Sequence, residues 1–306
     1  MRFWILLLLT MTLAHAAPEP IPQSWRPAQL SHSYSFDLAS KITGQTYRIL
    51  IAEPAGPAPA GGYPVLWMLD GLASFPAMEG VRIKPKSVGE SAVWRQEKGS
   101  KPAGLIVAVA YASGQAFDVD ARALDYTPKV EGVSGDLFSP RHGGADLFLR
   151  FLIEELRPEI SRHFPVNPQA NTLFGFSYGG LFTLYVLSTA PQHFQRYWAA
   201  SPSLWFDEAR TLNRLPVRLK TAHLDPATRV QITVGQDEQY PPKFASETVK
   251  TKLQQRAMVD HAQDFARQLA DVLEVKFDIL PAHDHLDTFY HGARRVADFA
   301  FAAELP

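Results

Sequence analysis

Apolar positions along the chain fall first into short continuous runs and later into stripes at helical spacing. Residues 45–53 alternate and are rich in β-formers, while residues 63–69 and 104–111 are nearly unbroken apolar runs. Such runs predict strands buried on both faces of a sheet. Between 146 and 160, Phe148, Phe151, Leu152, Leu156 and Ile160 recur at helical intervals. A short strand at 172–175 leads into an apolar helix at 181–188. Strands follow at 197–201, 229–235 and 275–280. Residues 249–273 have helical character, with Met258, Phe265, Leu269 and Leu273 as the apolar stripe, and a last helix runs over about 288–301. This alternation predicts an α/β fold, a mostly parallel sheet with helices on both faces. No linker interrupts it, so residues 17–306 read as one domain. Residues 128–144 lack periodicity and hold several glycines, which predicts a loop over the site.

The N-terminus changes the picture of where the protein works. Arg2 precedes the apolar run 3–9, and Ala14-His15-Ala16 closes the segment. A basic start, a short apolar core and a small-x-small ending predict a cleavable secretory signal over 1–16. The run falls short of the roughly 20 residues of a membrane span, so no stable membrane insertion is expected. Pro18, Pro20 and Pro22 break any helical continuation. The chain of 306 residues contains no cysteine. That removes disulfides, thiolate zinc sites and cysteine nucleophiles, and it fits a bacterial periplasm. A net charge of −1 without basic runs gives no footprint for nucleic acid.

Gly175-Phe176-Ser177-Tyr178-Gly179 is a G-x-S-x-G sequence between a predicted strand and a predicted helix. That is the context in which a sharp turn lifts a serine hydroxyl above a sheet. Serine needs a base, and in such folds the partners follow in the order serine, acid, histidine. Here carboxylates Asp237 and Glu238 follow the strand 229–235, and His283 and His285 follow the strand 275–280. Strand carboxyl ends are where open α/β sheets hold their ligands. Spacing alone does not choose within either pair. His283-Asp284-His285-Leu286-Asp287 also has an H-x-H-x-D pattern, but Thr288 stands where metallo-hydrolases continue with histidine. No metal or other cofactor is expected. The backbone amides of Tyr178 and Leu72, the latter after the strand 63–69, are candidates for an oxyanion hole.

These residues resemble the "putative esterase" branch of the α/β hydrolases, and within it the periplasmic esterases of trilactone siderophores such as enterobactin. The resemblance rests on residues 64–71, Arg122 with Asp125-Tyr126-Thr127-Pro128, residues 144–158, 175–180 and Ser201-Pro202-Ser203-Leu204-Trp205. It implies an α/β-hydrolase fold and a serine esterase acting on a ferric catecholate siderophore, a small-molecule substrate that brings its own iron. Other esters, feruloyl or lipid, are the rival class. The family's base maps onto His285, although Ala282 and His283 replace its preceding Gly and Glu. Its acid maps onto Glu238, with Asp237 as the alternative. Arg122 falls where siderophore-cleaving members carry an arginine near the substrate, with a structural pair to Asp125 as the competing expectation. Trp198 and Trp205 are offered either to aromatic substrate groups or to the core. Nothing in the sequence identifies a transporter partner.

Overall fold

A computed structural model describes residues 30, 32–54, 56–82, 104–132, 134–136, 138–210, 224–225 and 227–302. The expected signal segment 1–16 lies outside the described residues. Among the described residues eight strands form one sheet. They are β1 (Ser33–Ala39), β2 (Thr46–Ala52), β3 (Tyr63–Met68), β4 (Leu105–Tyr111), β5 (Val166–Phe176), β6 (Arg196–Ala200), β7 (Arg229–Gly235) and β8 (Glu274–Leu280). Their order is β1-β2-β4-β3-β5-β6-β7-β8. The pairs β1–β2 and β2–β4 are antiparallel, and all pairs from β4 through β8 are parallel. The mostly parallel sheet is therefore as expected, with an antiparallel edge.

Helices cover both faces because the central strands bury both. Every residue of β4 is buried. In β3 the alternation sends Val65 and Trp67 to one apolar cluster and Leu66 and Met68 to the other. The helices are α1 (Gly71–Arg82), α2 (Val119–Tyr126), α3, α4 (Tyr178–Thr189), α5 (Glu247–Arg256), α6 (Met258–Leu269) and α7 (His285–Ala300). Helix α3 joins Ala145–Arg150, a π-helical turn Phe151–Leu156, and Arg157–His163. The stripe expected over 249–273 is two helices, because Ala257 takes the left-handed conformation (φ +46°) between α5 and α6. Helix α7 begins three residues earlier than its stripe suggested and buries Thr288, Phe289, Gly292, Ala293 and Val296.

The topology fixes where chemistry can sit. After β3 the chain goes to β4 on one side and returns across β3 to β5 on the other. Crevices at such reversals, outside the strands' carboxyl ends, are natural ligand sites. Asp70 to Leu72, Ser177, Ser201 to Ser203, Glu238 and His285 all follow strand carboxyl ends at this edge.

One buried acid beneath it gives the stability a pH slope. Asp125 is 2% exposed and accepts from Tyr47 Oη (2.8 Å) and Gln45 Nε2 (3.0 Å). Burial pushes its pKa up to about 7. The folded carboxyl thus keeps its proton to higher pH than the unfolded one, which releases it near 4. Stability should fall as pH rises from about 4 to about 7, by at most about 4 kcal/mol. Asp125→Asn is expected to flatten that slope in denaturant unfolding at pH 5 and pH 8.

Candidate active site

Ser177 occupies the single position between β5 and α4, with φ +59° and ψ −116°. A non-glycine residue there is strained by about 1–3 kcal/mol, and its neighbours hold it in place. The Ser177 amide donates to Ala200 O (2.9 Å), and its carbonyl accepts from the amides of Ser203 (3.1 Å) and Leu181 (2.9 Å). Strand β6 and the turn after it therefore clamp the elbow. Gly175 is required by close approach, since a Cβ there would stand 2.0 Å from Gly179 O.

Glu238 follows β7 and is 3% exposed. Its Oε1 accepts from Ser201 Oγ (2.5 Å), the Gly235 amide (2.7 Å) and Thr288 Oγ1 (3.2 Å). Three donors on one oxygen fix the plane of the carboxylate and turn Oε2 toward His285, whose Nδ1–H donates to it at 2.5 Å. This pairing selects Nε2 as the nitrogen left for a reacting proton. The ring of His285 also packs on Phe176, the residue before the serine, with centroids 4.5 Å apart. Ser177, Glu238 and His285 line one cavity of about 510 Å³. The Ser177 hydroxyl itself pairs with Ser203 Oγ at 3.2 Å.

The competing residues go elsewhere. The ring of His283 turns to Pro281 O (2.8 Å) and His291. Asp237 lines the cavity and its amide donates to His283 O, while the histidine's carboxylate partner is Glu238. The H-x-H-x-D pattern is a helix start: Asp284 caps α7 by accepting from the Asp287 amide (2.9 Å), and Asp287 accepts in return from the Asp284 amide (3.3 Å). Among the described residues no group of three or more His, Asp or Glu side chains is placed to hold a metal ion.

Tyr178 and Leu72 occupy the first turns of α4 and α1, where helix geometry leaves amides without an intrahelical partner. Tyr178 is among the residues that line the cavity, and Leu72 is not. The turn that precedes Leu72 abuts the elbow, for a Cβ on Gly179 would touch Leu69 (3.3 Å) and Asp70 (3.6 Å).

Arg122 borders the cavity but is committed to the scaffold. Its Nε and one Nη donate to the two oxygens of Asp70 (2.8 and 2.9 Å), and that Nη also donates to Phe176 O (2.9 Å). Both partners are buried, so the structural partner is Asp70, and Asp125 pairs with Tyr47 and Gln45 instead. The guanidinium ties the β3 loop to the residue before Ser177. Arg122→Ala leaves Asp70 as an unpaired buried charge, with an expected loss of about 3–5 kcal/mol. Urea unfolding would measure it. Trp198 is in the core, its Nε1 donating to Thr233 Oγ1 (3.1 Å), and Trp205 faces the cavity.

Several residues of the site receive no role from the sequence. Ser201 and Thr288 cradle the acid, Phe176 supports the base, and Phe138, Leu253, Arg256 and Met258 also line the cavity. For Ser201 and Ser203 a signal exists, since both follow a strand's carboxyl end at the edge that holds the other site residues.

A family model described as "Putative esterase" matches residues 40–271. The chain belongs to this esterase family. It is 37% identical over 183 residues to the ferri-bacillibactin esterase BesA of Bacillus subtilis, and 35% identical over 186 residues to the apo-salmochelin esterase of Escherichia coli. Each match covers 58% of this chain, and respectively 60% and 54% of the relative. The solved structure of the BES protein from Bacillus cereus superimposes with a TM-score of 0.73 at 30% identity, covering 91% of this chain and 99% of that one. Membership brings the α/β-hydrolase-like arrangement, and no helix among the described residues is long and apolar enough to cross a membrane.

Proposed function

We propose that this esterase opens the trilactone of a catecholate siderophore by covalent serine catalysis. One observation supports the chemistry: a buried carboxylate held by three donors accepts from His285 Nδ1, and His285 and the elbow serine line the same cavity. The siderophore part is supported by relatives named for siderophore esters.

In this reading the Ser177 hydroxyl leaves Ser203 and donates to His285 Nε2. Its Oγ attacks an ester carbonyl as His285 takes the proton. The oxyanion meets the Tyr178 amide at the start of α4, where the helix dipole favours negative charge, and the Leu72 amide as second donor. His285 returns the proton to the departing alkoxide as the ester bond breaks. Water, deprotonated by His285, then attacks the acyl carbonyl, the acyl–Oγ bond breaks as His285 returns the proton to Ser177 Oγ, and the released linear ester is a weaker iron ligand. Glu238 holds the imidazole and offsets its positive charge. The basic-apolar-small pattern of residues 1–16 supports export and action in the periplasm.

Mass analysis of products from ferric enterobactin tests the substrate. Linear trimer or smaller fragments are expected. Intact trilactone alongside cleavage of a simple activated ester would keep the esterase and sink the siderophore assignment.

A further inference from the structure

Part of the wall of the cavity that Ser177 lines is cationic and aromatic. Arg256 is the last residue of α5, and the left-handed Ala257 after it turns the chain into α6, with Leu253, Arg256 and Met258 all on the cavity wall. The Arg256 guanidinium lies 4.8 Å from the ring centre of Phe138 and 5.0 Å from that of Trp205. Lys252, one turn earlier, lies 5.4 Å from the Phe138 ring. Trp205 in turn packs on Tyr178, the residue after the serine, at 6.2 Å. The acidic and phenolic groups that face Arg256 are Asp136 and Tyr178, and these are engaged with each other, the Tyr178 hydroxyl donating to Asp136. Among the described residues no carboxylate makes an ion pair with Arg256.

We propose that Arg256, packed against the adjoining rings of Phe138 and Trp205, is a specificity-determining residue that selects anionic aromatic ligands, and so favours the iron-loaded siderophore over the metal-free one. This rests on the siderophore reading for its natural substrate. Ferric catecholates have lost their phenolic protons and the complex is an anion, whereas metal-free catechols retain most of theirs near neutral pH. A guanidinium pairs ion to ion with the former, whereas to the latter it donates only to a neutral oxygen. Two flat rings, themselves 6.4 Å apart, pack against the guanidinium and restrict its rotamers. Burial pulls the Arg256 pKa below its ordinary value, a sign of weak hydration, and a weakly hydrated cation has less water to displace. Arg122 does not duplicate this role, because Asp70 and Phe176 O already take its donors.

The test compares kcat/KM for the ferric and metal-free forms of one trilactone in wild type, Arg256→Gln and Arg256→Lys. The ferric-to-metal-free ratio is expected to fall about tenfold in Arg256→Gln and less in Arg256→Lys, which keeps the charge without the planar fork. Added salt should narrow the wild-type ratio and leave that of Arg256→Gln nearly flat. Equal losses on both forms, or a ratio unchanged within about twofold, would overturn the proposal. A parallel pair of 4-nitrophenyl benzoates, one sulfonated and one neutral, separates the two readings. If wild type opens neither trilactone, the siderophore reading has failed. The sulfonated-to-neutral ratio then decides for Arg256: a fall of about tenfold in Arg256→Gln upholds it, and no change refutes it. Arg256→Lys serves the same comparison if Arg256→Gln fails to fold, as judged by thermal melting.

Discussion

Ser177→Ala is expected to lower kcat by about 10⁴- to 10⁶-fold with little change in thermal stability. The size follows from removing the only atom that can form the acyl bond in the proposed cycle, while the oxyanion donors and the binding wall remain. The neutrality in stability follows from local structure. Alanine keeps the Cβ, so the strain at φ +59° is unaltered, and the clamp on the elbow uses backbone atoms of Ala200, Ser203 and Leu181. What is lost is one 3.2 Å hydroxyl contact to Ser203. A kcat determination on an activated ester, with a melt of the same sample, checks both parts. Loss of fluorophosphonate labelling should accompany it. Residual activity above about 1% would point to Ser203, the other hydroxyl in that contact and a lining residue of the same cavity, and Ser177→Ala/Ser203→Ala would then be required to abolish turnover.

The elbow was legible because local sterics dictate it. Gly175 must be glycine to let Gly179 pass, and the apolar runs on either side have the lengths of a buried strand and helix. The choice of Glu238 over Asp237 was not legible from position, for the donors that make it come from Ser201, Gly235 and Thr288, between 3 and 50 residues away. The same distance problem hid the partner of Arg122: Asp125 is near in sequence, but Asp70, 52 residues away, is the one that folding brings to it. The break between α5 and α6 escaped because alanine, without the usual glycine signal, adopts the left-handed conformation there. Strand β1 escaped for another reason. As an outer strand it is mostly exposed, with no continuous apolar run to announce it. The site is thus readable where the backbone itself is constrained, and opaque where side chains from distant strand ends converge.

That convergence makes Glu238→Gln the sharpest probe of the acid. The substitution conserves shape and removes the charge, and the amide carries one acceptor oxygen where the carboxylate had two. Oε1 now receives three donors and Oε2 receives the His285 Nδ1–H. If the glutamine oxygen faces the three donors, its NH₂ meets Nδ1, which can then only accept, and the imidazole is forced into the tautomer with Nε2–H. That tautomer cannot take a proton from Ser177. If the amide flips, the NH₂ group confronts the Gly235 amide, whose hydrogen cannot rotate away, at a buried site costing about 1–3 kcal/mol. Either arrangement is unfavourable, and the first is the less costly because histidine can change tautomer while a backbone amide cannot. A fall in kcat of about 10³- to 10⁴-fold is therefore expected, with KM little changed and a lower melting temperature. Asp237→Asn should cost at least 100-fold less, because that carboxylate is not the one paired with His285. Near-wild-type kcat in Glu238→Gln would mean that serine and histidine suffice here, with Glu238 acting only to hold the turn after β7 against β6 and α7.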